Sequence, residues 1–127
     1  MKLIASLLLF TCLALSACNT SSGDCVGDHC VCPATGGCDH TCTPGGTECH
    51  IQGSSGPVDV QCADNDECHV ECAAAAGCNV DCGGSAECHV TCPATGCTVT
   101  DCVGAGCVVS CGFSGVASRT GSTATCP

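Results

Sequence analysis

Pairs of cysteines separated by three residues recur about every ten residues along this chain, and this repeat constrains the fold more than any other feature. The clearest copies, 68–72, 78–82 and 88–92, each read Cys-x-Val-x-Cys. Degenerate copies extend the pattern over residues 28–111, to nine units in all. A unit this short cannot bury its own apolar face, so stacked units must share one core.

The residues inside each unit alternate in polarity. The first, third and fifth positions are mainly Cys or apolar, and the second and fourth are mainly polar. A period of two predicts a strand, and the Gly, Pro, Ala and Ser between units predict turns and disfavour a helix. The sequence therefore predicts an all-β fold, a small disulfide-rich parallel β-solenoid of about nine short rungs, one per unit. Residues 112–127 lose the pattern and are expected to form a C-terminal cap.

The beginning of the chain predicts export. Lys2 is followed by an apolar stretch that closes at Leu15, which is typical of a signal peptide and too short for a membrane span. The next residues, Ser16, Ala17 and Cys18, complete a Leu-Ser-Ala-Cys segment that resembles the lipobox of bacterial lipoproteins.

The lipobox resemblance implies a lipid anchor. Residues 1–17 would be removed, and Cys18 would receive a diacylglyceryl thioether and an acyl chain on its amine. Several chains give stable attachment where a single chain binds only marginally. Residues 18–27 would be the lipidated N-terminus and tether, and Asn19, in place of aspartate, favours the outer membrane or the cell surface. The alternative is ordinary secretion, with Cys18 in a disulfide.

The remaining cysteines predict covalent cross-linking of the fold. After the leader the chain has one aromatic residue, Phe113, so packing alone is a weak basis for a core. Eighteen cysteines follow Cys18, an even number that predicts nine disulfides in an oxidising compartment. Cysteines four apart on one strand are roughly 13 Å apart, too far to bond, so bridges join neighbouring rungs or cross the turns. The predicted disulfide cysteines are Cys25, Cys30, Cys32, Cys38, Cys42, Cys49, Cys62, Cys68, Cys72, Cys78, Cys82, Cys88, Cys92, Cys97, Cys102, Cys107, Cys111 and Cys126.

The charge is strongly acidic. Twelve Asp and Glu residues all follow Cys18, and Arg119 is the one Lys or Arg residue after it. Such a surface repels nucleic acid and attracts cations, so DNA or RNA is excluded as a partner.

Histidines and carboxylates form the main candidate site. The second position of successive units faces outward and reads His29, Asp39, His50, Asp59, His69, Asn79, His89, Thr98 and Val108. With one rung per unit, each histidine would lie about 4.8 Å from an acidic or amide neighbour. This ladder either binds divalent ions such as Zn²⁺ or Cu²⁺ and responds to acid, or avoids repulsion between like charges. His40 falls at an inward position, which indicates a register irregularity rather than a ligand.

The densest polar cluster gives the candidate metal residues. Glu71 is expected beside Asp81, close to His69 and His89, and a cation would relieve repulsion between the carboxylates. The acidic turn at 64–67 is a second candidate, for Ca²⁺, or else a solvated turn, because it lacks a full ligand loop.

Two short motifs that often mark catalytic, redox or metal sites are missing from the sequence. It contains no Gly-x-Ser-x-Gly motif and no Cys-x-x-Cys pair. The leading hypothesis is a non-enzymatic, lipid-anchored cell-envelope protein, a rigid rod with a structural, adhesive or surface-interaction role. The alternative is a module that binds or buffers divalent metal ions, and thiolate metal storage is a minor alternative.

The repeat pattern also resembles other proteins. It is similar to cysteine-rich, short-repeat bacterial lipoproteins, and its architecture is similar in kind to the disulfide-laddered solenoids of insect antifreeze proteins. Ice binding in the latter needs Thr-x-Thr on successive rungs, and among the nine units here only residues 98–100 match at the outward positions. Ice binding is therefore a further minor alternative, because architecture alone does not carry function.

Overall fold

The computed structural model describes residues 25–112 and 115–127. Residues 1–24, with the predicted signal peptide, Cys18 and most of the tether, lie outside the described part. The strands are β1 (His29–Val31), β2 (Cys38–Thr41), β3 (Glu48–Gln52), β4 (Pro57–Gln61), β5 (Glu67–Glu71), β6 (Gly77–Asp81), β7 (Glu87–Cys92), β8 (Cys97–Thr100), β9 (Cys107–Cys111), β10 (Gly115–Val116), β11 (Ser118–Thr120) and β12 (Thr123–Cys126). Within these residues no helix has the length and apolar character that crossing a membrane would require.

The strands form two six-stranded sheets, and the chain passes from one to the other after each strand from β1 to β8. The first sheet has the order β1-β3-β5-β7-β9-β10, and the second has the order β11-β12-β8-β6-β4-β2. Neighbouring strands among β1 to β9 run parallel, as in β3 with β5 and β4 with β6. The fold is therefore the predicted all-β, disulfide-rich solenoid, with about four turns.

Each turn of the solenoid contains two ten-residue units, so the expected stacking of consecutive units is wrong. His50 pairs with His69, and Asp59 pairs with Asn79, about twenty residues along the chain. A five-residue strand and a tight turn carry the chain only to the opposite sheet, and a second unit returns it. Six strands about 4.8 Å apart span roughly 24 Å, so the solenoid is a short block rather than a long rod.

The core lies between the two sheets and is built from the alternating inward positions. The third residue of the units supplies its central columns, including Ile51 and Val70 in the first sheet and Val60 and Val80 in the second, all buried. β-branched residues suit such a row because they pack well on a pleated surface. The prediction of a buried third position is confirmed for seven of the nine units, and Cys30 and Val109, in the two end units, are half-buried.

Cysteines flank this centre and bond across the turns. All eighteen predicted residues pair, in the order Cys25–Cys30, Cys32–Cys38, Cys42–Cys49, Cys62–Cys68, Cys72–Cys78, Cys82–Cys88, Cys92–Cys97, Cys102–Cys107 and Cys111–Cys126. Cα–Cα distances for Cys32–Cys38 and Cys72–Cys78 are 5.6 and 6.2 Å, within the range that a disulfide tolerates. Of the two routes left open by the sequence, the bridges between units take the one across the turns, and Cys111–Cys126 joins β9 to β12 of the cap.

The C-terminal segment ends both sheets with antiparallel strands. β10 adds to β9 in the first sheet, and β12 and then β11 add to β8 in the second. Arg119 pairs with the buried Ala124, and its guanidinium donates hydrogen bonds to the carbonyls of Cys102 and Cys107. The one Lys or Arg residue of the described chain therefore satisfies backbone acceptors of the last repeat unit and of the turn before it.

Candidate functional site

The outer face of the first sheet carries one column of histidines. His29, His50, His69 and His89 occupy equivalent places on β1, β3, β5 and β7, and Val108 continues the column on β9. The column forms because histidine stands at the second position of every other unit, and every other unit belongs to the same sheet. We call these four residues the histidine column.

The distance between neighbouring imidazoles decreases along the histidine column from His29 to His89. Ring centroids are 6.2 Å apart for His29 and His50, and 5.6 Å apart for His50 and His69. His69 and His89 are 4.8 Å apart, with ring planes only 5° from parallel. This last distance equals the ordinary strand spacing, so these two side chains stand directly above one another.

A column of glutamates lies beside the histidines. Glu48 pairs with Glu67, which pairs with Glu87, two residues before the histidine on each strand and on the same face. Their carboxylates contact imidazoles: Glu67 Oε1 is 2.6 Å from His69 Nε2, and Glu87 Oε2 is 3.8 Å from His89 Nε2. We call Glu48, Glu67 and Glu87 the glutamate column. The first sheet thus presents imidazole nitrogen and carboxylate oxygen side by side.

This face is partly open to solvent. The side chains of His69 and His89 are 31% and 40% exposed, and that of Glu67 is 44% exposed. The donors are accessible to a small ion, yet their backbone is fixed. Cys68 and Cys88, which precede the two histidines, are buried and bonded across the turns to Cys62 and Cys82.

The outer face of the second sheet has a different chemistry. Asp39, Asp59, Asn79 and Thr98 form its central column. An open groove of about 700 Å³ runs beside this column, where small residues such as Gly37 and Gly77 leave space. The groove has carboxylate and amide groups on one side and no histidine in its lining, so the two faces offer different ligands.

A hydroxyl patch ends this second face. Thr98 pairs with Thr125 of β12, and Thr125 pairs with Ser118 of β11, so three neighbouring strands carry hydroxyls. Within the strand positions of the repeat units, Thr-x-Thr occurs once, at 98–100, and the segment that pairs with it, at 123–125, belongs to an antiparallel cap strand outside the repeat. Asp39 and Asp59 occupy the same column further along, so the patch is confined to the C-terminal end of the sheet.

The expected grouping of the candidate metal residues is partly wrong. His69 and His89 are neighbours, and Glu71 is on the same strand as His69. Asp81, however, belongs to β6 of the second sheet and pairs with Gln61, whereas Glu71 pairs with Thr91. Glu71 and Asp81 are not neighbours, and histidine does not alternate with aspartate, because consecutive units lie on opposite sheets.

The glutamates that contact the histidines were missed in the sequence. Their signal is a Glu-Cys-His segment at 48–50, 67–69 and 87–89, which recurs every nineteen or twenty residues. That interval is twice the cysteine repeat and matches one full turn of the solenoid. The glutamate before these cysteines therefore indicates both the period of one turn and the glutamate column.

One residue of the acidic turn at 64–67, which the sequence suggested for Ca²⁺, has a structural role in the fold. Asn65 is buried, and its Nδ2 donates hydrogen bonds to the carbonyls of Thr43, at 2.9 Å, and Cys62, at 2.6 Å. Glu67, at the end of the same segment, contacts His69. Two of the four residues therefore have partners inside the fold.

The described cysteines are in disulfides and not in the thiolate form that metal storage would require. Several sulfur atoms lie close together, as in the group Cys82, Cys88 and Cys107. In residues 25–112 and 115–127 all eighteen cysteines are in disulfides, so this part of the chain offers no thiolate ligand. His40 is buried at the inward position that the sequence predicts, within 4.8 Å of the Cys42 and Cys49 sulfurs. It pairs with Val60 in the regular register of the sheet, so the expected register irregularity is wrong.

One carboxylate outside these columns has a perturbed acidity. The backbone N–H of Thr43 donates a hydrogen bond of 2.8 Å to Asp28 Oδ1. This bond, with smaller contributions from His40 and His29, lowers the pKa of Asp28 below its ordinary value.

Comparison with family models, with curated proteins and with solved structures finds no match to this chain.

Proposed function

We propose that this chain is a non-enzymatic, lipid-anchored protein of the bacterial cell envelope, in which Cys18 carries the lipid. The disulfide-locked solenoid would stand on the outer membrane or cell surface as a rigid acidic module. Its two flat faces would serve a structural, adhesive or surface-interaction role toward other envelope components. The proposal begins from the Leu-Ser-Ala-Cys segment at 15–18.

The cysteine pairing is the single observation that supports this proposal best. The eighteen cysteines from Cys25 to Cys126 pair among themselves, so the solenoid needs no bridge from the preceding segment. A disulfide at nearly every turn is typical of proteins that function in oxidising compartments. Each closed loop also restricts the unfolded chain, which suits a protein exposed to proteases outside the cell.

The surface chemistry is consistent with display in water. The chain carries twelve carboxylate side chains, and on both sheets the outward strand positions are largely polar. A strongly acidic surface favours solubility and repels anionic lipid headgroups. Attachment would therefore depend on the acyl chains and not on the folded module.

Fractionation of bacteria that express the full chain tests the anchor. The unsubstituted protein is expected in the membrane fraction and labelled by a radioactive fatty acid, whereas Cys18→Ala is expected without label. Cys12→Ala is the matched control, because it removes the other cysteine of the leader and should leave labelling unchanged. Absence of label on the unsubstituted protein, or equal labelling of Cys18→Ala and the unsubstituted chain, would contradict the proposal.

Intact mass after alkylation without reductant tests the oxidised state in the envelope. Protein isolated from its native compartment should gain no alkyl groups on the eighteen solenoid cysteines. Gain of several groups would show that the cysteines are reduced in the cell.

A further inference from the structure

We propose that the histidine and glutamate columns bind borderline divalent transition ions such as Zn²⁺, Cu²⁺ and Ni²⁺, with the primary site at His69 and His89. Glu67 and Glu87 supply the carboxylate ligands of this site. It is a further activity, independent of the lipid anchor. It keeps His69 and His89 from the cluster that the sequence indicates and has Glu67 and Glu87 in place of Glu71 and Asp81.

The donor types select this class of ion. Imidazole nitrogen suits Zn²⁺, Cu²⁺ and Ni²⁺, whereas Ca²⁺ and Mg²⁺ prefer sites made entirely of oxygen. The first sheet offers four imidazoles and three carboxylates in two adjacent columns. A nitrogen-rich face of this composition therefore discriminates against Ca²⁺. The column at Asp39 and Asp59 on the opposite sheet offers only oxygen ligands and allows a comparison of the two ligand types within one protein.

The spacing favours His69 and His89 over the other pairs. Their ring centroids are 4.8 Å apart, against 6.2 Å for His29 and His50. A Zn–N bond is about 2.0–2.1 Å, so one ion can bridge two imidazoles of neighbouring strands once the rings tilt toward each other. The side chains are 31% and 40% exposed, which leaves them free to make this adjustment.

The glutamates complete the site on the same side. Glu67 Oε1 lies 2.6 Å from His69 Nε2, and Glu87 Oε2 lies 3.8 Å from His89 Nε2. A carboxylate within contact distance of each imidazole either joins the coordination sphere directly or orients the ring that does. Two histidines and two glutamates give the four ligands of a tetrahedral ion, or three ligands and a water.

The disulfides hold the site before an ion arrives. β5 lies between the bridges Cys62–Cys68 and Cys72–Cys78, and β7 lies between Cys82–Cys88 and Cys92–Cys97. Strands fixed at both ends lose little backbone freedom on binding, and preorganised ligands bind more tightly. The large negative charge of the chain also raises the local concentration of cations.

Titration calorimetry on the oxidised, folded chain tests the proposal, with ZnCl₂, CuCl₂, NiCl₂ and CaCl₂ as separate probes. We expect a saturable site for the three transition ions and none of comparable affinity for CaCl₂. His69→Gln with His89→Gln should weaken binding by more than about 100-fold, and Glu67→Gln should weaken it about 10-fold or more. With Cu²⁺, the electron paramagnetic resonance spectrum of the unsubstituted protein should show nitrogen ligands that the double variant lacks.

The matched control removes two charges from the other face. Asp59→Asn with Asp81→Asn eliminates two carboxylates of the second sheet and keeps every histidine. This variant should bind Zn²⁺ within about 3-fold of the unsubstituted chain, since surface electrostatics contribute weakly at moderate salt. The proposal is overturned if none of the transition ions binds at millimolar concentration. It is equally overturned if the His69 and His89 variant binds normally, or if the control loses as much affinity as that variant. Circular dichroism and the disulfide count by mass establish that each variant is folded.

Discussion

His69 and His89 stack face to face on neighbouring parallel strands, with their ring planes 5° apart and their centroids separated by 4.8 Å. Each histidine follows a buried cysteine that is bonded across a turn, so the strand register fixes the backbone positions of the two residues. The same sheet repeats this arrangement at His29 and His50 with less overlap, at 6.2 Å and 45°. The quality of stacking therefore varies along a single column of chemically identical residues.

This variation predicts a difference in coupling energy. In metal-free buffer, a double-mutant cycle of His69→Ala and His89→Ala should give a favourable coupling of about 0.5 kcal/mol, as for other cross-strand pairs. The cycle for His29→Ala and His50→Ala should give a smaller value, because those rings overlap less. Guanidinium unfolding of the oxidised protein, followed by circular dichroism, measures both. A larger coupling for His29 and His50 would contradict the prediction.

Close stacking of turns predicts a strong effect at Gly56. A β-carbon added there would overlap the carbonyl oxygen of Gly36 in the adjacent turn, so backbone atoms must move. Gly56→Ala should lower the free energy of unfolding by about 2–3 kcal/mol, in the range of overpacked sites. Gly77→Ala is the control, since a β-carbon there meets nothing within 4 Å, and its effect should stay within about 0.5 kcal/mol. Equal effects of the two substitutions would refute this account of the turns.

The amide of Asn65 joins two turns, and its removal should destabilise the fold. Nδ2 donates to the carbonyls of Thr43 and Cys62 from a fully buried position. Asn65→Ala should cost about 2 kcal/mol, because both bonds are lost and a cavity remains. Asn65→Asp should cost more, since a buried carboxylate would face two carbonyl oxygens that it cannot bond. The ranking of the two variants by chemical denaturation checks the role of the donor group, and a milder effect of Asn65→Asp would disprove it.

The turn at 53–58 is the one turn between repeat units without a disulfide, so we expect that a bridge can be added there. Gly53 and Val58 occupy the positions that cysteines hold in the other turns, and Val58 is buried there. A β-carbon on Gly53 would lie 3.0 Å from Val58 Cγ2, close enough for a bridge. Gly53→Cys with Val58→Cys should therefore form a tenth disulfide on oxidation.

The expected gain from this bridge is modest. Closing so short a loop contributes about 2 kcal/mol, reduced by the loss of Val58 packing and by a contact of 2.9 Å with the Glu71 carbonyl. We expect a net gain of about 1 kcal/mol over Gly53→Ser with Val58→Ser, which has similar volume but no bond. Intact mass and thiol titration detect the bridge, and two free thiols in the folded protein would exclude the geometry.

Much of the fold was accessible from the sequence because its determinants are local. The alternation within Cys68–Cys72 indicates a strand, and the glycines and prolines between units indicate turns. Cysteine parity gave the nine disulfides, and the distance along one strand ruled out a bridge from Cys68 to Cys72. These inferences need only the pleat of a strand and the reach of a disulfide.

The number of units per turn is not a local property, and there the sequence prediction was wrong. Whether His69 stacks on Asn79 or on His89 depends on how far each turn redirects the chain, which a ten-residue period does not state. The assumption of one unit per turn also made the predicted site wrong, because it placed Glu71 beside Asp81 and put aspartates between the histidines. The interval between Glu67 and Glu87 contains the missing information, since identical outward residues recur once per turn.

The hydrogen bond between Asp28 and Thr43 predicts a pH dependence at the N-terminal end of the solenoid. The Thr43 N–H stabilises the Asp28 carboxylate, and the pKa of this group is therefore lower in the folded than in the unfolded chain. A lowered pKa contributes stability that is present above the unfolded value, about 3.9, and is lost as the pH falls through the folded value. Asp28→Asn keeps the acceptor oxygen but cannot titrate, so other carboxylates cancel in a comparison with the unsubstituted chain.

The difference in unfolding free energy between the two proteins should be constant near neutral pH and should shrink below about pH 4. Guanidinium unfolding at a series of pH values measures it, and Asp101→Asn, a variant of an exposed carboxylate at the opposite end of the solenoid, provides the comparison. A difference for Asp28→Asn that grew as the pH fell would mean that the folded pKa is raised. The hydrogen bond from Thr43 would then be too weak in solution to outweigh the desolvation that raises the pKa of Asp28.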